Sequence, residues 1–225
     1  ALADFSLEQQ SGVAIDDTKG VTVPLSPPGQ PGANVLVLRL SGVYLFVGVG
    51  GIIDKTGYAN ASAFESDLAA AGAVGFFVNN AALDLAIVGE APAAGGRKWV
   101  GIAGSISTLG VVGMPAGFAL QVKDLQFFYN VAASDGKRMD WKALSGNGFG
   151  INLGALSLFD NSVEFKVAAT IFVGIENFVY VSGSVALQRK DLFVKTVGST
   201  TTTKMSMLTL GASNLRAFAG TGNAD

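Results

Sequence analysis

Residues 75–88 read GFFVNNAALDLAIV. At its start Val74, Phe76 and Val78 occupy one face of the strand. After Asn79-Asn80 the large residues become Leu83, Leu85 and Ile87. A side-chain period of two is the mark of a β-strand. A change of phase within one strand needs a bulge or a corner, because a one-residue slip sends every side chain to the other face. The same break occurs twice more. Leu38 and Leu40 give way after Ser41-Gly42 to Val43, Leu45 and Val47, and Phe118, Leu120 and Val122 give way after Lys123-Asp124 to Leu125, Phe127 and Tyr129. Long strands, each interrupted at a small or polar pair, predict an all-β fold.

Working outward, Val35–Val49, Gly75–Val88, Trp99–Ile106, Phe118–Val131, Val163–Ile175, Phe178–Gln188 and Met205–Ala219 read as strands. Ala61–Ala71 is the one good helix, with Ser62 and Glu65 at capping-box spacing and Gly72 as its stop. Four of the six prolines lie between Pro24 and Pro31, which predicts a loop. Asp135-Gly136, Asn147-Gly148 and Gly198-Ser199 mark turns, and Thr200–Thr203 an exposed loop or edge.

The end of the chain resembles its beginning. LTLGASNLRAFAGTG (208–222) aligns with LVLRLSGVYLFVGVG (36–50) at an offset of 172 residues (46 to 218). Val185-Ala-Leu-Gln-Arg189 aligns loosely with Phe5-Ser-Leu-Glu-Gln9, at an offset of 180 (5 to 185). A sequence that returns to the same point of its pattern reads as one period of a tandem array. On this phasing, 1–225 is one repeat-derived β module, with 1–50 the end of one period and 51–222 the next. A smaller motif also recurs, an aromatic, a small residue and Gly: Phe46-Val-Gly48, Trp99-Val-Gly101, Phe172-Val-Gly174 and Phe218-Ala-Gly220. It suits a strand end that packs and then bends.

Composition narrows the function classes. Apolar residues make up 49% of the 225 and charged residues 14%, against roughly a quarter in ordinary domains, which excludes a disordered chain. Thirty glycines without a three-residue period exclude collagen. The net charge is −2 and no basic stripe is visible, so nucleic acid is not an expected partner. The apolar runs Leu68–Val78 and Leu109–Leu120 are too short for a spanning helix. The chain starts at Ala1 without a signal-peptide pattern and reads as an excerpt of something longer.

The pattern LxxxSxVxxFxGxG, the long strands of the GFFVNNAALDLAIV type, RMDW (138–141) and SGSVALQR (182–189) together resemble the tandem repeats of giant bacterial surface proteins. Those are adhesin-like chains, often found beside haemolysin-type calcium repeats. The resemblance implies a module of a secreted or cell-surface bacterial protein. The calcium nonapeptide GGxGxDxxx is itself absent, so a neighbouring repeat type is implied and not a calcium roll.

Chemistry-bearing residues are sparse. With no His and no Cys, Ser–His–Asp and Cys–His nucleophile systems and N/S zinc or copper sites are excluded. No enzyme activity is expected. Gly146-Asn-Gly-Phe-Gly150 matches neither dinucleotide nor P-loop patterns and reads as a turn. Asp160 with Glu164, or Asp16-Asp17, could be offered as a glycosidase pair, but nothing in the sequence joins them around a cleft. Calcium is the one cofactor to carry: Asp54 and Asp225 follow glycine turns in both copies of the repeat, and Asp16 and Asp17 lie in another polar stretch. The alternative is that aspartate favours turns by bonding nearby amides. Asp84 and Arg39 sit in apolar strands and are expected to face solvent, with a buried pair as the alternative. Asn60-Ala-Ser62 has the form of a glycosylation sequon and is expected to start the helix. Trp99, Trp141, Phe127, Phe128 and Tyr129 are expected in packing, with a sugar platform as the alternative.

The sequence therefore predicts an elongated all-β module, solenoid-like or sandwich-like, with one short helix at about 61–71. The expected role is a structural extender or adhesive module of a large surface repeat protein, acting by spacing and non-covalent contact. Its expected partners are neighbouring copies of the same repeat, and surface glycans or another cell. The alternatives are a membrane-associated β-barrel, which the phase flips and the helix argue against, and a carbohydrate-binding β-domain.

Overall fold

The structure is a computed structural model; it describes residues 1–16, 21–23, 32–54, 56–58, 60–90, 96–115, 117–146, 150–176, 178–195, 197–198 and 200–221. The chain is all-β, with one short helix where the sequence places it. Its strands are β1 (Leu2–Asp16), β2 (Val21–Val23), β3 (Ala33–Val49), β4 (Val74–Glu90), β5 (Lys98–Val112), β6 (Phe118–Val131), β7 (Val163–Ile175), β8 (Val179–Val194) and β9 (Thr203–Ala219). They form one antiparallel sheet in the order β2-β1-β3-β4-β5-β6-β7-β8-β9. From β3 onward each strand pairs with the next, the connection that short turns between long strands favour.

A single open sheet takes the place of the sandwich-like or solenoid-like stacking expected from sequence. The second layer is built from connections. Helix α1 (Ala61–Ala70) covers one end of the sheet; helix α2 (Trp141–Gly146) and a 3-10 turn (Gly154–Leu158) cover the other. No strand pairing joins β9 to β1 or β2 among the described residues, so the sheet has edges and is not closed into a barrel there.

The phase changes are real and have one cause. Gly42, Asn80, Asp124 and Asn214 all have left-handed backbone, with φ of 56°, 49°, 52° and 53°. Glycine reaches this region freely, and Asn and Asp reach it more easily than other residues because their short side chains bond locally. Asn80 falls between the pairs Asn79↔Thr108 and Ala81↔Ile106, opposite Ser107, whose hydroxyl donates to the Asn80 carbonyl at 3.1 Å. The ladder slips between Leu40 and Val43, between Lys123 and Gln126, and between Ser182 and Ser184. A row of kinks thus crosses the sheet.

On β4 the buried positions pass from Gly75, Phe77 and Asn79 to Asp84, Ala86 and Val88 across this row. The face that carries Val74 and Phe76 is the exposed one, and Phe77 is buried on the other. The reason is room. Large side chains, from the covering connections and from neighbouring strands alike, lie over a floor of small ones. The indole of Trp141 lies over Gly101, the ring of Phe77 over Gly110, the ring of Phe127 over Gly104, and the ring of Phe46 over Gly48, Gly51 and Gly75. The aromatic–small–Gly motif is corrected accordingly. Gly48, Gly101 and Gly174 lie inside β3, β5 and β7 without left-handed backbone, so none marks a bend, and at Gly48 and Gly101 what matters is the side chain they lack.

One apolar cluster packs Trp141, Leu144, Leu153, Leu156 and Phe159 onto Val35, Val37, Ala86, Val88 and Trp99. The second packs Phe64 and Leu68 of α1, one helical turn apart, onto Tyr44 and Phe77. The helix is capped by Asn60, not Ser62: the Asn60 side chain accepts from the Ala63 amide at 3.0 Å. Gly72, with φ 65°, ends it as expected.

Candidate functional site

Of the predicted metal residues, Asp17 and Asp225 lie outside the described residues. Asp16 ends β1, in register with Val21. Asp54 is exposed and committed locally: its Oδ1 accepts from the Thr56 amide at 2.8 Å and from the Thr56 hydroxyl at 2.7 Å. Those two hydrogen bonds, the amide first, hold its carboxyl below the ordinary aspartate range against a slight opposing effect of burial. Among the described residues no three of His, Cys, Asp and Glu form a group that could hold a metal ion.

The carboxylates offered for glycoside chemistry also have other partners. Asp160 accepts from the Ser162 amide at 2.8 Å and from its hydroxyl. Glu164 pairs with Arg138 at 2.7 Å and Arg189 at 3.3 Å. Trp99 and Trp141 are buried in the core, so the five aromatics make no common platform. Arg39 and Asp84 do not go to solvent separately. They stand opposite each other on β3 and β4 with Nε to Oδ1 at 2.8 Å, and the other Asp84 oxygen accepts from the Ala155 amide at 2.7 Å.

The RMDW segment is a clamp. Asn130 of β6, buried, donates to the Met139 carbonyl at 3.0 Å and accepts from the Trp141 indole at 3.0 Å. Asp140 accepts from the Ala143 amide at 2.9 Å at the start of α2. Arg138 pairs with Asp191 of β8 as well as Glu164. Asp191 also takes Lys204 at 3.0 Å and Ser206 at 2.8 Å from β9. Burial would raise the Asp191 carboxyl, but Lys204, Ser206 and Arg138 outweigh it and hold it low. These charges are mutually satisfied and tie the connection to the last hairpin. A shallow groove of about 410 Å³ crosses β7–β9 over small residues such as Ala168, Ala186 and Ala212, and Asp124 is its one charged lining group.

The surface that stands out is the final strand. Every residue of β9 is exposed, including Met205, Met207, Leu208, Leu210, Leu215 and Phe218. Its pairing repeats that of β3. Phe5↔Leu40, Leu7↔Leu38 and Gln9↔Leu36 in β1–β3 become Val185↔Ala212, Leu187↔Leu210 and Arg189↔Leu208 in β8–β9 under the offsets of 180 and 172. The slip also recurs: Leu2↔Tyr44 followed by Asp4↔Ser41 corresponds to Ser182↔Arg216 followed by Ser184↔Ser213. Left-handed Gly42 corresponds to left-handed Asn214.

No protein-family model, curated protein or solved structure matches this chain.

The functional reading therefore rests on the chain's own geometry. The equivalence of the two hairpins was partly legible, since the sequence match gave both offsets. The strand character of Leu2–Asp16 was missed, because Glu8-Gln9-Gln10 interrupts its apolar alternation at an edge. The Arg39–Asp84 pair had a usable signal. Each residue lies three or four positions from a kink residue, Gly42 or Asn80, so aligning the kinks brings the two charges together.

Proposed function

We propose that this chain is a structural extender or adhesive module of a large secreted or cell-surface repeat protein, working by spacing and non-covalent contact. The observation that carries the reading is the shared register, slip and left-handed position of the first and last long-strand pairs. A hairpin that recurs with its pairing intact is what a repeating sheet requires. The resemblance to surface repeats supports the location, and the ion-paired state of the buried carboxylates supports a role without turnover. No described helix is long and apolar enough to cross a membrane.

On this reading the period runs from β3 to its equivalent, β9, a step of six strands. At about 4.8 Å per strand, each period lengthens the sheet by about 29 Å. Chains in which the segment 51–222 is repeated one, two and three times test this by small-angle X-ray scattering. The maximum dimension is expected to grow by a constant increment of that order. A dimension that grows only as the cube root of mass, as in a compact globule, sinks the reading.

A further inference from the structure

We infer that the free edge and exposed apolar face of β9 form a seam for a strand of the β4 type, supplied with its covering connections by another period of the same repeat. This rests on the repeat reading above and specifies the contact.

Ala33, Val35 and Val37 of β3 are buried, Val35 completely, because β4 pairs along that edge and α2 with the 3-10 turn covers the face. The equivalent positions in β9 are Met205, Met207 and Thr209, and Met207 is 45% exposed. Further along, Leu36, Leu38, Val43 and Phe46 correspond to Leu208, Leu210, Leu215 and Phe218, all exposed. An edge strand that presents unpaired amides and an apolar row without a protective proline invites strand addition. Lys204 and Arg216 are its only charges, and Lys204 is already paired with Asp191.

Register selects the occupant. Since β9 repeats β3, and β8 repeats β1 on its other side, the vacant side of β9 is the side on which β3 holds β4. Leu210 would then oppose a residue equivalent to Leu85, and Leu208 one equivalent to Ile87, as Leu38 and Leu36 do. A β1 edge from a second free chain does not meet this register, because β1 belongs to the β8 position. One position departs from the pattern. Gly211 stands where Arg39 pairs with Asp84, and a Cβ built there has nothing within 4 Å.

The test compares the chain 1–225 with the same chain continued after Gly222 by a second copy of 51–222. Peroxide oxidation of Met205 and Met207 and hydrogen exchange across β9 are read by mass spectrometry. In the continued chain the first-copy methionines are expected to oxidise about tenfold more slowly, and the first-copy β9 amides to approach the protection of β3. First-copy β9 residues as labile as those of the chain 1–225 would overturn the inference. Gly211→Arg in the first copy adds a second arm, because it restores the Arg39-type partner for the second-copy Asp84. It is expected to raise the melting temperature of the continued chain and leave that of 1–225 unchanged. An equal change in both chains counts against the seam. Scattering separates the two proposals. A continued chain that lengthens while β9 stays labile keeps the extender and removes the seam; one that protects β9 without lengthening does the reverse.

Discussion

At the residue scale, two kinds of position carry the fold in ways that volume and charge alone do not suggest. Gly101, Gly104 and Gly110 inside strands are seats for rings, so adding one methyl there is costly. Gly101→Ala drives a Cβ into the Trp141 indole and is expected to lower stability by about 1–3 kcal/mol, read from the midpoint of a urea titration followed by tryptophan emission. Asn80 is the second kind. Asn80→Val puts a β-branched residue at φ 49° and is expected to cost about 1–2 kcal/mol, while Asn80→Gly is expected to be close to neutral in the same assay. Asp191 is held low, below the ordinary 3.8, by Lys204, Ser206 and Arg138 in spite of burial. Its charged form is favoured by folding, so its contribution is present above the unfolded value and disappears as pH falls through the lower folded value. Asp191→Asn is therefore expected to destabilise by about 1–3 kcal/mol at pH 7, with the difference from the parent closing in the acid range below the ordinary value. A gap that persists unchanged to the most acid pH at which the chain folds would show that the network does not act through that charge.

At the scale of elements, the strands were legible and their cover was not. Alternation, turn pairs and phase breaks marked seven strands and the helix, because a long half-buried strand writes a period of two into the sequence. The cover was missed where its sequence is irregular. Trp141–Gly146 is too short to show a helical period, and its role depends on Asn130, buried eleven residues earlier on β6, whose side chain is satisfied by the Met139 and Asp160 carbonyls and the Trp141 indole. The same logic hides which face is buried: a strand shows its own alternation but not which face will receive a helix or loop. The test at this scale is α1. Phe64 is fully buried and its ring meets those of Tyr44 and Tyr58 at 5.3 and 4.9 Å. Phe64→Ala is expected to cost about 3–5 kcal/mol and to detach α1. Hydrogen exchange would show faster exchange at 61–73, with β5 and β6 beyond the covered end retained. Uniform loss of protection across the sheet would mean that the two clusters fold as one unit.

At the scale of the whole molecule, a meander with two edges distributes its stability unevenly. Among the described residues each internal strand is paired on both sides, β9 is paired on one, and the two apolar clusters lie over β3–β7, not over β9. Opening should therefore begin at β9 and reach β4 and β5 last, because local opening free energy follows buried apolar contact and paired backbone. What retains β9 in the single chain is the backbone ladder to β8, the Asp191 contacts to Lys204 and Ser206, and the tilted ring contact of Tyr180 with Phe218 at 6.5 Å. Native-state hydrogen exchange of the chain 1–225 is expected to show protection falling from β4 and β5 to β9, with the largest step between β8 and β9. Removing the Asp191 contacts should lower protection in β9 and leave β4 unchanged. A flat profile would mean that the sheet opens as a single cooperative body. In that case β9 would be held in the lone chain as firmly as a central strand, and its exposed apolar row would need an explanation other than an unfilled pairing edge.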